Sequence, residues 1–234
     1  MQEELVAPYR SGMTGFPNFT LKGAMEEELE TAVTSEVTLM PEFYTASQIR
    51  QFIDDKRNLT RWGVQHYQKA ELDDACTLWN RCLTKINADF ASATGDRLQR
   101  SGGADLLHEL ADLYSAVLSS IAHATSVQME TQLAGHPRQL LRAADAVASA
   151  SQGRTRWLAR FAHRSTWRPT AAQSAELCYR EALCARLSNE PRYLPVARNK
   201  IAVADRLMPG APVVRAEQAK IERAIRELAT TAVS

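Results

Sequence analysis

The chain has 234 residues, of which 45% are hydrophobic, and its formal net charge is +1. This composition is sufficient for a sizeable core, and the near-zero charge argues against a uniformly basic nucleic-acid binder. The charge is unevenly distributed: residues 1–60 carry 5 Lys and Arg against 10 Asp and Glu, whereas residues 136–234 carry 17 against 8. An acidic N-terminal part and a basic C-terminal part predict either attraction between the two or binding to two different partners.

Residues 1–44 are predicted to form an extended or disordered acidic arm. Pro8, Gly12, Gly15 and Pro17 interrupt any sustained hydrophobic period in this segment. The start of the chain is acidic and lacks the apolar core of a signal peptide. No window of the sequence contains 18 consecutive apolar residues. We therefore expect a cytoplasmic protein without a transmembrane segment.

Residues 45–234 are predicted to form an α-helical domain that begins with a helical hairpin. The segment "TASQIRQFIDDKRNLTRWGVQHYQK" has apolar residues at steps of three and four. Thr45 or Ser47 is predicted to cap its first turn, with Gln48 completing a capping box. The segment "ELDDACTLWNRCLTKI" follows after a very short turn, so the two helices are expected to run antiparallel. Gly63 and Ala75 are small, which predicts a close approach of the two helices.

The remaining segments also favour helices. Residues 87–103 contain three glycines and are predicted to be a loop or frayed turn. A long amphipathic helix, or two helices in series, is expected from residue 104, followed by a short alanine-rich helix that ends at Gly153. A further helix is expected over residues 154–167, and three more follow Thr170. No stretch alternates like a half-buried strand, so the fold class is predicted to be all-α.

A spacing of small and aromatic residues occurs twice, 100 residues apart: Ala75, Trp79 and Leu83 in the first copy, and Ala175, Tyr179 and Leu183 in the second. Tyr67 and Trp167 each lie eight residues before the small residue of their copy. The pattern resembles the second helix of a tetratricopeptide repeat. The segment "GVQHYQKAELDDACTLWNRCL" is similar to repeats of the rapsyn family and of the Leu-Gly-Asn-repeat polarity adaptors.

The resemblance implies antiparallel helix pairs stacked as a right-handed solenoid. It also implies a non-enzymatic adaptor or scaffold that binds a segment of a partner protein in a helical groove. A generic helical bundle with the same spacing by chance is the structural alternative, because small and aromatic residues recur at steps of three and four in many packed helices.

The predicted partner-binding residues lie mainly on one helix. Trp157, Arg160, Arg164 and Trp167 are separated by three, four and three residues, which predicts a shared helical face. Guanidinium groups between indoles suit the binding of carboxylates. The corresponding inward positions in the other pairs include Arg57, Val64 and Tyr67 in the first pair and Arg198 in the last.

The expected partner is an acidic, partly apolar protein segment, and the chain's own acidic arm is a second candidate. The alternative function is binding to nucleic acid or to an anionic membrane surface through residues 138–168. That segment contains seven Arg and one acidic residue, with aromatic residues between them.

No sequence motif predicts catalysis, a cofactor or a metal site. The chain lacks a phosphate-binding loop and the GxSxG and HExxH motifs. Its five histidines show no metal-ligand spacing. The four cysteines fit neither a zinc knuckle nor a redox CxxC motif, and they are predicted to be reduced thiols buried on helices.

Overall fold

Helices make up nearly all of the chain that is described. The computed structural model describes residues 43–91, 93–161 and 166–231, so the predicted arm lies outside it apart from its last two positions. Within these ranges the elements are helical and none is a strand, which confirms the all-α class. The elements are α1 (Ala46–Gln68), α2 (Leu72–Ala91), α3 (Ala93–Thr131), α4 (Pro137–Phe161), α5 (Ala171–Leu187), a 3₁₀ turn (Pro191–Tyr193), α6 (Leu194–Leu207) and α7 (Pro212–Thr231).

The start of α1 has the predicted capping box. The Gln48 amide donates to Thr45 Oγ1 at 3.3 Å, and the Thr45 amide donates to Gln48 Oε1 at 2.8 Å. Of the two predicted caps, Thr45 is therefore the one used, and Ser47 lies inside the helix. The turn to α2 is closed by the Glu71 amide, which donates to the His66 carbonyl at 3.0 Å. These local bonds define both ends of α1.

Gly63 lies at a close contact between α1 and α2, as predicted. A Cβ atom at this position would lie 2.2 Å from Nε1 of Trp79. The indole itself is buried, and its Nε1 donates to the Thr60 carbonyl at 3.2 Å. The atoms next to Gly63 are thus those of Trp79 and not of Ala75, because the large ring of α2 occupies the space that the missing side chain leaves.

Residues 87–91 and 93–103 belong to helices, so the predicted loop is wrong. α2 continues to Ala91 and α3 begins at Ala93. Phe90 is buried and packs edge-on against Phe52 of α1 and Phe161 of α4, which holds the last turn of α2 in place. The helical path of α3 is interrupted at Gly103, where φ is 60° and ψ is −152°. This conformation favours glycine, so here the residue marks a kink within a helix and not a loop.

Residues 137–161 form one helix, where a break at Gly153 was predicted. A Cβ at Gly153 would lie 3.2 Å from the Tyr114 hydroxyl, so the glycine accommodates α3 at a point of close approach. Four rings, which we call the aromatic cluster, pack across α2, α3 and α4: Phe90, Tyr114, Trp157 and Phe161. A glycine inside a helix costs only about 1 kcal/mol, and burial of the rings beyond it outweighs that cost.

The helices pack mainly on their neighbours in the sequence. Each helix contacts the next one, and in addition α1 contacts α3 and α3 contacts α5. Buried side chains of α3, α4 and α5 form one core, which includes Leu118, Val147 and Cys184. A second core joins α5, α6 and α7 and includes Ile201 and Ile221.

The predicted equivalence between the α1–α2 pair and a pair ending in α5 is wrong. The residue aligned with Tyr67 is Trp167, and it lies in the non-helical segment after α4. Residues 166–170, which come directly before α5, are not helical and include Pro169, whose nitrogen cannot donate to a helical hydrogen bond.

Candidate binding groove

Trp157 and Trp167 do not share an exposed helical face, so the predicted Trp/Arg surface is wrong. Trp157 is 6% exposed, and its ring centroid lies 5.0 Å from that of Phe161. Phe161 follows it by one helical turn, which places Trp157 on the buried side of α4. Trp167 is 8% exposed and donates from Nε1 to Asp112 Oδ1 at 2.7 Å. Both indoles therefore belong to the interior.

The predicted arginines are dispersed. Arg160 is exposed near the end of α4, with its guanidinium carbon 5.3 Å from the centroid of Phe161. Arg164 lies outside the described residues. Arg57 of α1 pairs with Glu109 of α3, and it lies 3.6 Å from Asp54. Arg198 of α6 pairs with Glu222 of α7 at 2.9 Å, so it joins the last two helices.

Two of the positions predicted to face inward, Val64 and Tyr67, line a cavity of about 390 Å³, which we call the groove. Helices α1, α3 and α5 lie along it, and α2 and α4 add one large side chain each, Trp79 and Arg154. The contacts of α1 with α3, and of α3 with α5, place these alternate helices side by side. The groove is thus a surface shared by elements that are far apart in the sequence.

One wall of the groove is aromatic. The Tyr67 ring lies 6.1 Å from the Trp79 ring and 5.5 Å, edge-on, from the His123 ring. Val64 is 39% exposed beside them. Because Trp79 is held by Gly63 and by the Thr60 carbonyl, this wall is supported from behind. Rigid rings with a free edge suit the packing of an apolar side chain from a partner.

The opposite part of the groove is polar. Three hydroxyls of α3 line it, from Ser115, Ser119 and Ser120. Arg154 of α4 donates from Nε to Ser115 Oγ at 3.2 Å. Gln173 and Glu176 of α5 line the same space.

Burial lowers the pKa of both basic groups of the groove, Arg154 and His123. It lowers the pKa of Arg154, although Glu181 partly opposes this effect. It also lowers the pKa of His123, with a further contribution from the positive charge of Arg180 and an opposing one from Glu176. His123 is therefore favoured in its neutral form, while a guanidinium group keeps its charge. Arg154 carries the positive charge of the groove.

The sequence interpretation missed the polar residues of the groove. Ser115, Ser119 and His123 follow one another at steps of four, so they form a polar line beside the apolar stripe of α3. That spacing was the available signal. Arg154 had no comparable signal, because its position depends on how closely Gly153 lets α4 approach α3.

A second cluster lies at the turn between α1 and α2. His66 Nδ1 lies 2.6 Å from Glu71 Oε2 and 3.8 Å from Asp74 Oδ2. Imidazole and carboxylate groups are of the type that ligate divalent transition metals, so these three could supply ligand atoms. The same contacts also connect the end of α1 to the start of α2, which is a sufficient structural reason for the cluster.

The four cysteines are free thiols, and two of them, Cys82 and Cys184, are buried as predicted. Burial raises the pKa of Cys184 to about 12 and that of Cys76 to about 11. Their thiolate forms are therefore scarce near neutral pH, and nucleophilic chemistry is disfavoured at both positions.

No family model, curated protein or solved structure matches the chain significantly. Within residues 43–91, 93–161 and 166–231, each helix is too short or too polar to span a bilayer.

Proposed function

We propose that the chain is a non-enzymatic, cytoplasmic adaptor that binds a segment of a partner protein in the groove. The observation that carries the proposal is the groove itself, an open space along α1, α3 and α5 with an aromatic wall and a polar wall. An extended segment placed there would contact three helices at once. Such surfaces are typical of stacked helix pairs.

The order of helix contacts supports a tetratricopeptide-like arrangement. In stacked antiparallel pairs, the first helix of each pair contacts its own partner and the first helix of the next pair. Here α1 contacts α2 and α3, and α3 contacts α4 and α5. In this proposal α1, α3 and α5 are the first helices, so the groove corresponds to the concave face. This assignment differs from the register predicted from the second copy of the sequence pattern.

The alternative, binding of nucleic acid or an anionic membrane through residues 138–168, has less support. Stacking on bases requires accessible aromatic rings. Trp157, Phe161 and Trp167 are all buried, which leaves the exposed arginines without interleaved aromatic side chains.

The proposal is tested by selecting peptides from a random displayed library against the whole protein and measuring their binding by fluorescence anisotropy. Ser119→Trp fills the groove, so we expect it to abolish binding of the selected peptides. Ser149→Trp adds the same side chain at an exposed site of α4 that does not line the groove, and it should leave binding unchanged. If both variants bind like the wild type, or if no peptide is selected, the groove is not the binding surface.

A further inference from the structure

Arg154 is a partly buried cation of the groove. Among residues 43–91, 93–161 and 166–231, no acidic side chain forms an ion pair with it. Glu181 influences it electrostatically, but that carboxylate pairs with Lys200 of α6. Partly burying an arginine costs solvation energy that an ion pair would normally offset. A guanidinium that lines an open groove and has no carboxylate partner in the described part of the chain therefore indicates an anionic ligand.

The position of Arg154 is well defined. Its Nε donates to Ser115 Oγ, and Ser115 is itself buried. Gly153, the preceding residue, allows α4 to approach the Tyr114 hydroxyl on α3. With Nε engaged, the two terminal nitrogens of the guanidinium remain as donors, and their spacing matches the two oxygens of one carboxylate.

We propose that Arg154 binds the side-chain carboxylate of an Asp or Glu in the partner segment. This inference rests on the proposed function, since the carboxylate arrives on a peptide in the groove. An apolar residue next to the acid would then pack against Tyr67 and Val64 on the aromatic wall. The ligand class is an acidic, partly apolar peptide.

Two related anions fit the groove less well. A phosphate group carries nearly two charges at neutral pH and is usually held by several donors or cations. Here Glu176 lines the same groove and Glu181 acts electrostatically on Arg154, so these carboxylates would repel a dianion more strongly than a single carboxylate. A C-terminal carboxylate is typically captured by clustered backbone amides. The lining residues of α3 lie inside a helix, where amides donate to carbonyls of the preceding turn.

The central experiment uses the peptides selected against the whole protein. Each acidic residue is replaced by its amide, one at a time, and every peptide is measured against wild type and Arg154→Gln. We expect one replacement to weaken binding to the wild type about tenfold and to change binding to Arg154→Gln little. Arg156→Gln, at an exposed neighbouring position, is the matched control and should behave like the wild type. Melting curves verify that both variants are folded.

The outcomes separate the two proposals. Equal losses in wild type and Arg154→Gln would overturn the carboxylate site and leave groove binding intact. Loss of binding only on C-terminal amidation of the peptides would assign Arg154 to a chain terminus and also overturn it. If Ser119→Trp has no effect on any peptide, the proposed function fails instead.

A measurement without peptides tests the Arg154 site even if the proposed function fails. The ¹⁵Nε signal of Arg154 is followed by NMR while N-acetylglutamic acid α-amide, N-acetylglutamine α-amide or inorganic phosphate is added at constant ionic strength. The first probe carries only its side-chain carboxylate and the second is uncharged. We expect a saturable shift with the glutamic acid α-amide alone. Equal shifts with the uncharged glutamine α-amide, no shift, or a shift confined to phosphate would each overturn the assignment.

Discussion

The aromatic cluster and the groove are built from the same residue types but differ in what covers them. Trp157 lies among rings from α2, α3 and α4, whereas Tyr67 contacts Trp79 and His123 and also lines the open groove. In both places an arginine is close by, Arg160 in the first and Arg154 in the second. The comparison shows that an aromatic and basic helix pattern does not itself distinguish core from binding surface. What differs is how completely neighbouring side chains cover the ring: Trp157 is buried, whereas Tyr67 is only partly buried.

The largest effect is expected in the aromatic cluster. Trp157→Ala removes a buried indole packed against three other rings, and we expect a loss of about 3–5 kcal/mol in the free energy of unfolding. Arg160→Ala, on the exposed side of the same helix, is the matched control and should cost less than about 1 kcal/mol, because it removes only a contact with the Phe161 ring. Urea denaturation provides both values. Similar, small losses for the two variants would mean that Trp157 is on the surface.

The second-largest loss of stability is expected at Gly63, whose close contact with Trp79 supports the aromatic wall of the groove. Gly63→Leu places side-chain atoms where the Trp79 ring lies, and we expect it to cost about 1–3 kcal/mol. Gln65→Leu introduces the same residue at an exposed position of α1 and should leave the melting temperature nearly unchanged. An unaltered or raised midpoint for Gly63→Leu would contradict the close contact between α1 and α2.

Tyr67 should cost less to remove, because its ring is only partly buried. We expect Tyr67→Ala to lower the free energy of unfolding by about 1–2 kcal/mol, clearly less than Trp157→Ala. Tyr67→Phe keeps the ring and serves as the control, with near wild-type stability. If Tyr67→Ala were as costly as Trp157→Ala, the wall would be part of the core and the groove would be closed.

The smallest effect concerns the pH dependence of stability. Burial, together with Arg180, lowers the pKa of His123 below its ordinary value of 6.5, while Glu176 opposes the shift. The unfolded chain therefore binds a proton at a higher pH than the native protein, and stability falls as the pH decreases below about 6.5. His123→Gln should make this decrease shallower between pH 7 and 5 in urea titrations. An identical slope in both proteins would exclude His123 as a contributor.

The sequence was informative where the determinants were local. The capping box of Thr45 and Gln48 and the contact at Gly63 both depend on residues of one hairpin. The helical conformation of residues 87–91 and the burial of Trp157 depend on the packing of Phe90 against rings from two other helices. The hydrophobic periodicity of α2 or of α4 alone could not show that these rings contact one another. For the same reason Val64 and Tyr67 could be placed at the groove from sequence, and Arg154 could not.

The order of helix contacts has a consequence for local unfolding of the protein. α3 is held by α1, α2, α4 and α5, whereas α7 is held mainly by α6. Among the described helices, α7 therefore needs the least free energy to detach. We expect its backbone amides to exchange with solvent deuterium before those of the other described helices, by opening of a single helix. Amides of α3 beside Ser115 and His123 should exchange more slowly, so the groove persists while α7 opens and recloses.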